Sequence, residues 1–442
     1  MKEKRIGVRR EDKNEWERRA PLTPDQVREL KEKYGIETSI QPSEIRVFLD
    51  RQYTQAGARV EESLSACPFV FAIKEIPAEF FEPQKVYAFF SHTIKGQNHN
   101  MPMLKKMLEL KCTLIDYEKI VDEKGIRLVF FGNFAGFAGM IDTLWALGRR
   151  THREGFSTPF SAVRRVIDYS GLEDAKEKIA EIGRRISSGG LPEGLSPMIF
   201  GFTGYGHVSR GAQEIFDLLP HETIDPADLA SFVEEKGRHR SNVVYKTIFK
   251  EEHMVEPIDS GAKFEIHDYF QHPQNYASKF ESHVPCLTVL LNCIYWDARY
   301  PRLVTKEYLK QLYQPTGKPR LSVIGDLSCD VEGAIQCTVK TTTPGDPVFV
   351  YDPVEQTATM GIEGEGPVVL AVDNLPCELP RESSKFFGEV LMKFIPGIME
   401  ADFSADFQDL KLGKPLKGAV IAHKGKLAPD YRYMEQFLGL AP

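Results

Sequence analysis

The sequence predicts an α/β chain of two doubly wound domains, each a parallel sheet wrapped by helices, and three observations carry that reading. The length, 442 residues, exceeds what one ordinary hydrophobic core serves and favours two domains. Short apolar runs alternate with helical stretches along most of the chain, as parallel strands joined by helical crossovers require. In MIFGFTGYGHVSRGAQEIF, residues 198–216, a buried strand leads through a glycine turn into a helix, the order of a phosphate-type loop.

Arg5 to Val8 reads as the first strand. LTPDQVRELKEKYG (22–35) is a well-marked helix, with Thr23 as N-cap, Pro24 in the first turn and Gly35 past the end. Further strands are expected at FVFAIK (69–74), VYAFFS (86–91) and TLIDYE (113–118). Phe130 to Gly148 is the most apolar long window, yet Asn133, Asp142 and its glycines interrupt a stretch of barely spanning length. Leu172, Ala175, Ile179, Ile182 and Ile186 recur at helical spacing, so Gly171 to Ser187 is an amphipathic helix. SSGGLPEGLSP (187–197) ends it and forms the strongest linker-like loop. Beyond MIFGF, the stretch GAQEIFDLL (211–219) reads as a helix and ETID (222–225) as a short strand. LTVLLNCIYW (287–296) and LSVIGDLS (321–328) are later strands of the second domain. A β-rich insertion then runs from PVFVYDP to GPVVLAVDN, before a helical C-terminal stretch, PRESSKFFGEVLMKFIPGIME.

Hydrophobic residues at 42% and charged residues at 27% are ordinary for a globular protein. A net charge of -7 argues against nucleic acid as a partner, because phosphate backbones select a basic face. The seven cysteines, Cys67, Cys112, Cys286, Cys293, Cys329, Cys337 and Cys377, form no C-x-x-C pair, which suits neither a disulfide framework nor a zinc site. The first residues, MKEKRIGVRREDKNEWERR, hold no apolar stretch for a signal peptidase or membrane. The expectation is a cytoplasmic, reduced protein with no membrane partner and no metal.

Gly204, Tyr205, Gly206, His207, Val208 and Ser209 stand in the strand-to-helix context that a dinucleotide fingerprint requires. Gly204 is expected to make the tight turn. Gly206 lets backbone N–H groups approach a pyrophosphate at the helix N-terminus, and Ser209 stands where a third small residue packs helix on strand. Asp225, 21 positions beyond Gly204, can bind adenosine ribose hydroxyls, which leans towards NAD. Lys236, Arg238 and Arg240 can instead neutralise a 2′-phosphate, so NAD and NADP both stay open. The competing reading makes the GYG a plain turn and Asp225 an N-cap for PADLASF.

Lys74 and His92 each end an apolar run and are expected at the carboxyl ends of parallel strands, where ligands bind. A lysine desolvated there titrates nearer neutrality, so the pair suits acid and base work on an amine and a carbonyl; each alone is as readily a surface lysine or a capping histidine. Arg19 and Arg127 can grip carboxylates bidentately, or sit solvated at the surface. Glu118 can orient a neighbouring cation or merely end a strand, and Gln97 is less informative still.

Together these segments resemble the lysine-ketoglutarate reductase half of animal and plant aminoadipic semialdehyde synthase, within the alanine dehydrogenase and transhydrogenase superfamily. VRREDKNEWERRAPLTP (8–24), YAFFSHTIKGQ (87–97), DYEKIVDEKGIRLVFFGNFAGFAGMI (116–141), FTGYGHVSRGAQEIF (202–216), LNCIYW (291–296) and DNLPCELPRESS (373–384) carry the likeness. It implies two Rossmann-like domains with a cleft between them. The first, substrate and catalytic, would be discontinuous (1–136 plus 341–442); the second (137–340) would bind the dinucleotide. It further implies that lysine condenses with 2-oxoglutarate and that NADPH or NADH reduces the imine to saccharopine, or the reverse. Lys74 and His92 fall on the family's acid and base, Arg19, Arg127, Gln97 and Glu118 on its substrate-binding groups, and Asp225 on its coenzyme aspartate. GDLSCD resembles a further coenzyme stretch, adding Asp326 and Ser328. Cys329-Asp330-Val331 departs from the family's Ala-Asp-Thr. Because the chain ends near residue 442, a separate saccharopine-cleaving enzyme is expected as a partner in lysine breakdown. Two alternatives stand beside this: another amino-acid or opine-type dehydrogenase of the superfamily, and a non-catalytic dinucleotide-binding regulator.

Overall fold

The computed structural model describes residues 4–314 and 319–439, apart from the side chain of Lys236. It divides into two compact units, Met1–Phe131 with Pro380–Pro442, and Gly132–Leu379.

The first unit holds strands β1 (Arg5–Val8), β2 (Glu37–Ile40), β3 (Arg59–Val60), β4 (Phe69–Phe71), β5 (Val86–Phe89) and β6 (Thr113–Asp116). They pair in parallel in the order β3-β2-β1-β4-β5-β6. Every residue of β1, β5 and β6 is buried, which is why their sequences run apolar without alternating. The helix after β1 spans Pro24–Tyr34. Thr23 and Gln26 exchange side-chain and backbone hydrogen bonds as a capping box, and Gly35 closes the helix at φ 62°. Beyond β1 the strand order reverses, so its carboxyl end, with that of β4, marks a topological switch point.

In the second unit the apolar window becomes one buried helix, Gly132–Arg153. Its glycines are notches. A Cβ on Gly136 would lie 2.1 Å from the Val208 carbonyl oxygen, and one on Gly148 would lie 2.1 Å from that of Phe160. Among the described residues no helix is long and apolar enough to cross a membrane. The strands are β7 (Ile199–Thr203), β8 (His221–Thr223), β9 (Val244–Phe249), a separate antiparallel pair β10 (Val255–Pro257) and β11 (Tyr276–Ser278), then β12 (Val289–Asn292), β13 (Val323–Asp326), β14 (Val348–Asp352), β15 (Thr357–Met360) and β16 (Val368–Leu370). The main sheet runs β8-β9-β7-β12-β13-β16-β14-β15, with β8 to β16 in that order parallel and the last two antiparallel. The β-rich segment therefore belongs to this sheet, because Val368–Leu370 pairs with β13. The chain leaves the second unit after Leu379, not near the expected residue 340.

Helix Pro380–Leu391 then completes the first unit. Phe387 packs on Tyr117 and Phe131 at centroid distances of 5.1 and 4.9 Å, and the Ser384 hydroxyl accepts the Ala20 N–H at 2.9 Å. Strand β17 (Val420–His423) joins β6 antiparallel, and β18 (Lys426–Leu427) follows it as the edge of an eight-stranded sheet.

Candidate active site

The carboxyl ends of β1, β4 and β5 gather the ionisable groups of the first unit. Past Phe71 the chain stays tied to its neighbour on one side, Ala72 donating to the Ala88 carbonyl at 3.1 Å, while on the other the buried Glu11 carboxyl accepts the N–H groups of Ile73 (2.7 Å) and Lys74 (3.0 Å). This fixes the backbone on which Lys74 stands. Burial pushes the Glu11 carboxyl up, and the Glu17 charge adds to that, taking it to about 7. Burial lowers the Lys74 ammonium from its ordinary value, with the Arg19 guanidinium acting in the same direction. Lys74 thus gives up its proton more readily than a solvated lysine, the direction that acid and base work on an amine needs.

The next residue was missed in reading the sequence. Glu75 Oε1 lies 2.6 Å from His92 Nδ1, and its Oε2 lies 3.3 Å from Lys13 Nζ. Burial works against the Glu75 charge, but the hydrogen bond and charge of His92 outweigh it and hold the carboxyl at about 2. The only signal for this role was adjacency to Lys74. His92 itself adopts φ 48°, a left-handed conformation costly for a residue with a Cβ. Its carbonyl accepts the Asn100 side-chain amide at 3.1 Å, and Phe90 stacks on its ring at 6.3 Å. Before it, Ser91 donates its N–H to Asp116 at 3.3 Å and its hydroxyl to the same oxygen. Burial raises that Asp116 carboxyl to about 6 against the pull of Ser91.

Arg19 is not the exposed grip that its loop position suggested. Its side chain is 1% exposed and forms a two-pronged ion pair with the equally buried Glu17, at 2.7 and 2.6 Å, under the Phe131 ring at 4.3 Å. Arg127 is half-exposed and paired with Glu118, at the end of the neighbouring strand β6. Gln97 buries a side-chain oxygen for which the described residues supply no hydrogen bond. Lys74, Arg19, Glu11, Glu17, Glu75 and His92 are therefore one cluster. Glu118 and Arg127 form a second pair one strand further on, and Gln97 lies in the loop after His92.

In the second unit Gly204 turns at φ 77°, where a Cβ would also meet Ile294 at 2.9 Å, so glycine is required. A Cβ on Gly206 would meet nothing within 4 Å, and the helix His207–Phe216 begins there on an N-cap residue that brings no side chain of its own to the N–H groups. An open backbone cradle at a helix N-terminus fits a dinucleotide pyrophosphate. The close packing expected at Ser209 is supplied instead by Gly211 and Gly136: a Cβ on Gly211 would lie 2.3 Å from the Asn133 carbonyl oxygen. Ser209 is buried and accepts from Gln213 at 2.9 Å. His207 and Val208 form the first turn of the helix, and burial lowers the His207 imidazolium below its ordinary value.

Asp225 does not border this turn. It follows the edge strand β8, and its carboxylate accepts the Ala227 N–H at 2.9 Å, capping the 3-10 turn Pro226–Asp228. Asp326 is buried at the end of β13, accepting from Asn292 (2.8 Å), Thr338 (2.6 Å) and the Cys329 N–H (3.2 Å). Thr203 extends that network by donating to Asn292 at 2.9 Å. Burial raises the Asp326 carboxyl to about 6, opposed by the Thr338 hydrogen bond. Asp326 thus knits three strand ends together, while the Ser328 hydroxyl donates to the Ile294 carbonyl.

Comparison with known proteins places this architecture. The N-terminal domain model of alanine dehydrogenase/PNT matches residues 7–138 and the C-terminal domain model matches 262–429, together more than half of the chain. Alpha-aminoadipic semialdehyde synthase of Arabidopsis thaliana is 38% identical over 97% of this chain and 41% of its own length; the mitochondrial enzyme of Bos taurus is 36% identical over 98% and 47%. The chain spans less than half the length of these relatives. The lysine-forming, NAD(+) saccharopine dehydrogenase of Emericella nidulans is 27% identical over 89% of this chain and 91% of its own. Among solved structures an L-alanine dehydrogenase superposes with a TM-score of 0.62 at 18% identity, over 99% of this chain and 100% of that one. The transhydrogenase of Sinorhizobium meliloti does so at 0.57 and 14%, over 96% and 100%. The shared fold, the paired domain models and the end-to-end likeness make this chain a member of the alanine dehydrogenase/PNT family.

Proposed function

We propose that this chain is a nicotinamide-dependent oxidoreductase that condenses L-lysine with 2-oxoglutarate and reduces the imine to saccharopine, or runs the reverse oxidation. The observation that carries the reading is the Lys74, Glu75 and His92 cluster at a switch point, in a chain 38% identical to an aminoadipic semialdehyde synthase. NADH or NADPH, when bound, supplies the hydride.

The residues of the chain manage protons and position. An amine attacks a carbonyl only when deprotonated, and Lys74, its ammonium lowered by burial, accepts that proton. The hydroxyl leaving the carbinolamine takes a proton as water, and His92 is its donor. Glu75 holds the ring through Nδ1, which leaves Nε2 as the exchanging nitrogen. Gln97, Glu118 and Arg127 bind the substrates: Arg127 for a carboxylate, Glu118 by orienting it, and Gln97 through its buried unsatisfied oxygen; Arg19, sealed in its pair with Glu17, serves the substrate site through its charge beside Lys74. Seven cysteines, none of them in a disulfide, suit a reducing compartment, the cytoplasm in this reading.

The test is lysine-dependent and 2-oxoglutarate-dependent oxidation of NADH or NADPH. Activity with pyruvate and ammonia but not with lysine moves the assignment to another amino-acid dehydrogenase. Coenzyme binding without turnover across a broad amine and oxo-acid screen makes the chain a regulator. Lys74→Met is expected to cut turnover by at least about a hundredfold while coenzyme affinity holds, the scale of a lost general acid or base; unchanged turnover refutes its role.

A further inference from the structure

The strand order of the second sheet bears on which nicotinamide coenzyme the chain takes, an inference that rests on the oxidoreductase reading. In a dinucleotide-binding unit the acid that grips the adenosine ribose stands at the carboxyl end of the strand beside the one bearing the glycine turn. Here that neighbour is β9, not β8, although β8 comes first in the chain. The contact is direct, since the Gly204 N–H donates to the carbonyl of Phe249, the last residue of β9, at 2.8 Å. Asp225, beyond β8, is two strand spacings from β7, roughly 10 Å, and its carboxylate is engaged as a cap.

The carboxylate that follows β9 is Glu251. Tyr205, within the glycine turn itself, donates to Glu251 Oε1 over a long 3.5 Å. Of the cations that could have favoured a 2′-phosphate, the Lys236 side chain lies outside the described residues, and the two arginines lie elsewhere. The Arg240 carbonyl accepts from Ser196 at 3.5 Å and that of Ser241 accepts the Leu191 N–H at 2.8 Å, both from residues that precede β7. Arg240 therefore belongs to the amino edge of the sheet, the length of a six-residue strand, about 20 Å, from the turn. It pairs there with Glu222 of β8, while Arg238 pairs with Glu235 at 3.2 Å and lies over Phe232. At the carboxyl edge Lys250 is exposed beside two carboxylates, Glu251 and Glu252, with His253 Nε2 3.8 Å from the latter.

We propose that Glu251, and not Asp225, is the residue that selects the coenzyme: its carboxylate accepts the adenosine ribose hydroxyls and repels a 2′-phosphate, so the chain prefers NAD to NADP. Calorimetric titration of the full chain with NAD+ and with NADP+ reads this without turnover. The unsubstituted protein is expected to bind NAD+ more tightly by about tenfold or more, the value of one charge-assisted hydrogen bond. Glu251→Gln is expected to weaken NAD+ by about tenfold and draw the two affinities together, Glu251→Asp to keep the preference for NAD+, and Asp225→Asn to leave the ratio where it was. Tighter NADP+ binding by the unsubstituted chain, or a ratio that moves with Asp225→Asn and not with Glu251→Gln, overturns this assignment alone. Binding of neither dinucleotide overturns the coenzyme reading and this assignment with it.

Discussion

Replacing Glu11 by Gln separates two roles of one buried carboxyl. In the folded chain its titration rises from the ordinary 4.5 to about 7. At ~1.4 kcal/mol per pH unit this corresponds to about 3 kcal/mol. The folded state binds this proton more tightly than the unfolded one, so the group's contribution is complete below pH 4.5 and drains away as pH rises through about 7. Glutamine carries no charge and lacks this drain. It also has one acceptor oxygen, where the carboxyl serves the Ile73 and Lys74 N–H groups with two, so one buried donor loses its partner at a cost of about 1–3 kcal/mol. Hydrogen exchange of a peptide covering residues 69–76, corrected for intrinsic rates, reads this locally, as a two-unit chain requires. At pH 5 the variant is expected to open more readily than the parent by about 1–3 kcal/mol. By pH 9 the difference shrinks or reverses, a relative swing of about 3 kcal/mol. Parallel opening free energies across that range refute the reasoning, since they mean that Glu11 does not change its charge in the folded protein.

Gly136→Ala places a Cβ at 2.1 Å from a backbone carbonyl that cannot rotate away, and is expected to lower the stability of the second unit by about 3 kcal/mol or more, visible as a fall in melting temperature; an unchanged melt refutes the close packing. Gly204→Ala forces a side chain into φ 77° against Ile294, at about 1–2 kcal/mol, and is expected to weaken both dinucleotides together in calorimetry while helical content by circular dichroism holds.

Much of the scaffold was legible in short-range chemistry. Thr23, Pro24 and Gly35 bracketed the first helix because capping is local, and the 171–187 periodicity gave the helix observed over Leu172–Gly189. The turn at Gly204 was readable for the same reason. What failed was long-range. The sequence does not say which strand lies beside β7, and VVYKTIF, a β-branched and aromatic run at 243–249, was passed over, so Asp225 seemed the acid beside the turn. Likewise 347–374 read as an insertion because its pairing with β13 spans many residues. Lys74 and His92 stood out by ending apolar runs, whereas Glu11, Glu17 and Glu75 sit in charged loop text that resembles solvated surface. Only the folded backbone distinguishes a carboxylate that clamps Ile73 and Lys74 from one in water.

The discontinuity of the first unit governs when a newly made chain can become competent. Sheet positions next to β6 await Val420–His423, and the aromatic cover of Tyr117 and Phe131 awaits Phe387, all synthesised after the whole of Gly132–Leu379. The second unit is contiguous and can condense during synthesis. The ionisable cluster around Lys74, by contrast, stays under an unfinished roof until Phe387 and Val420–His423 have joined it. Truncation from the C-terminus should therefore silence the proton chemistry of residues hundreds of positions upstream while sparing the glycine turn.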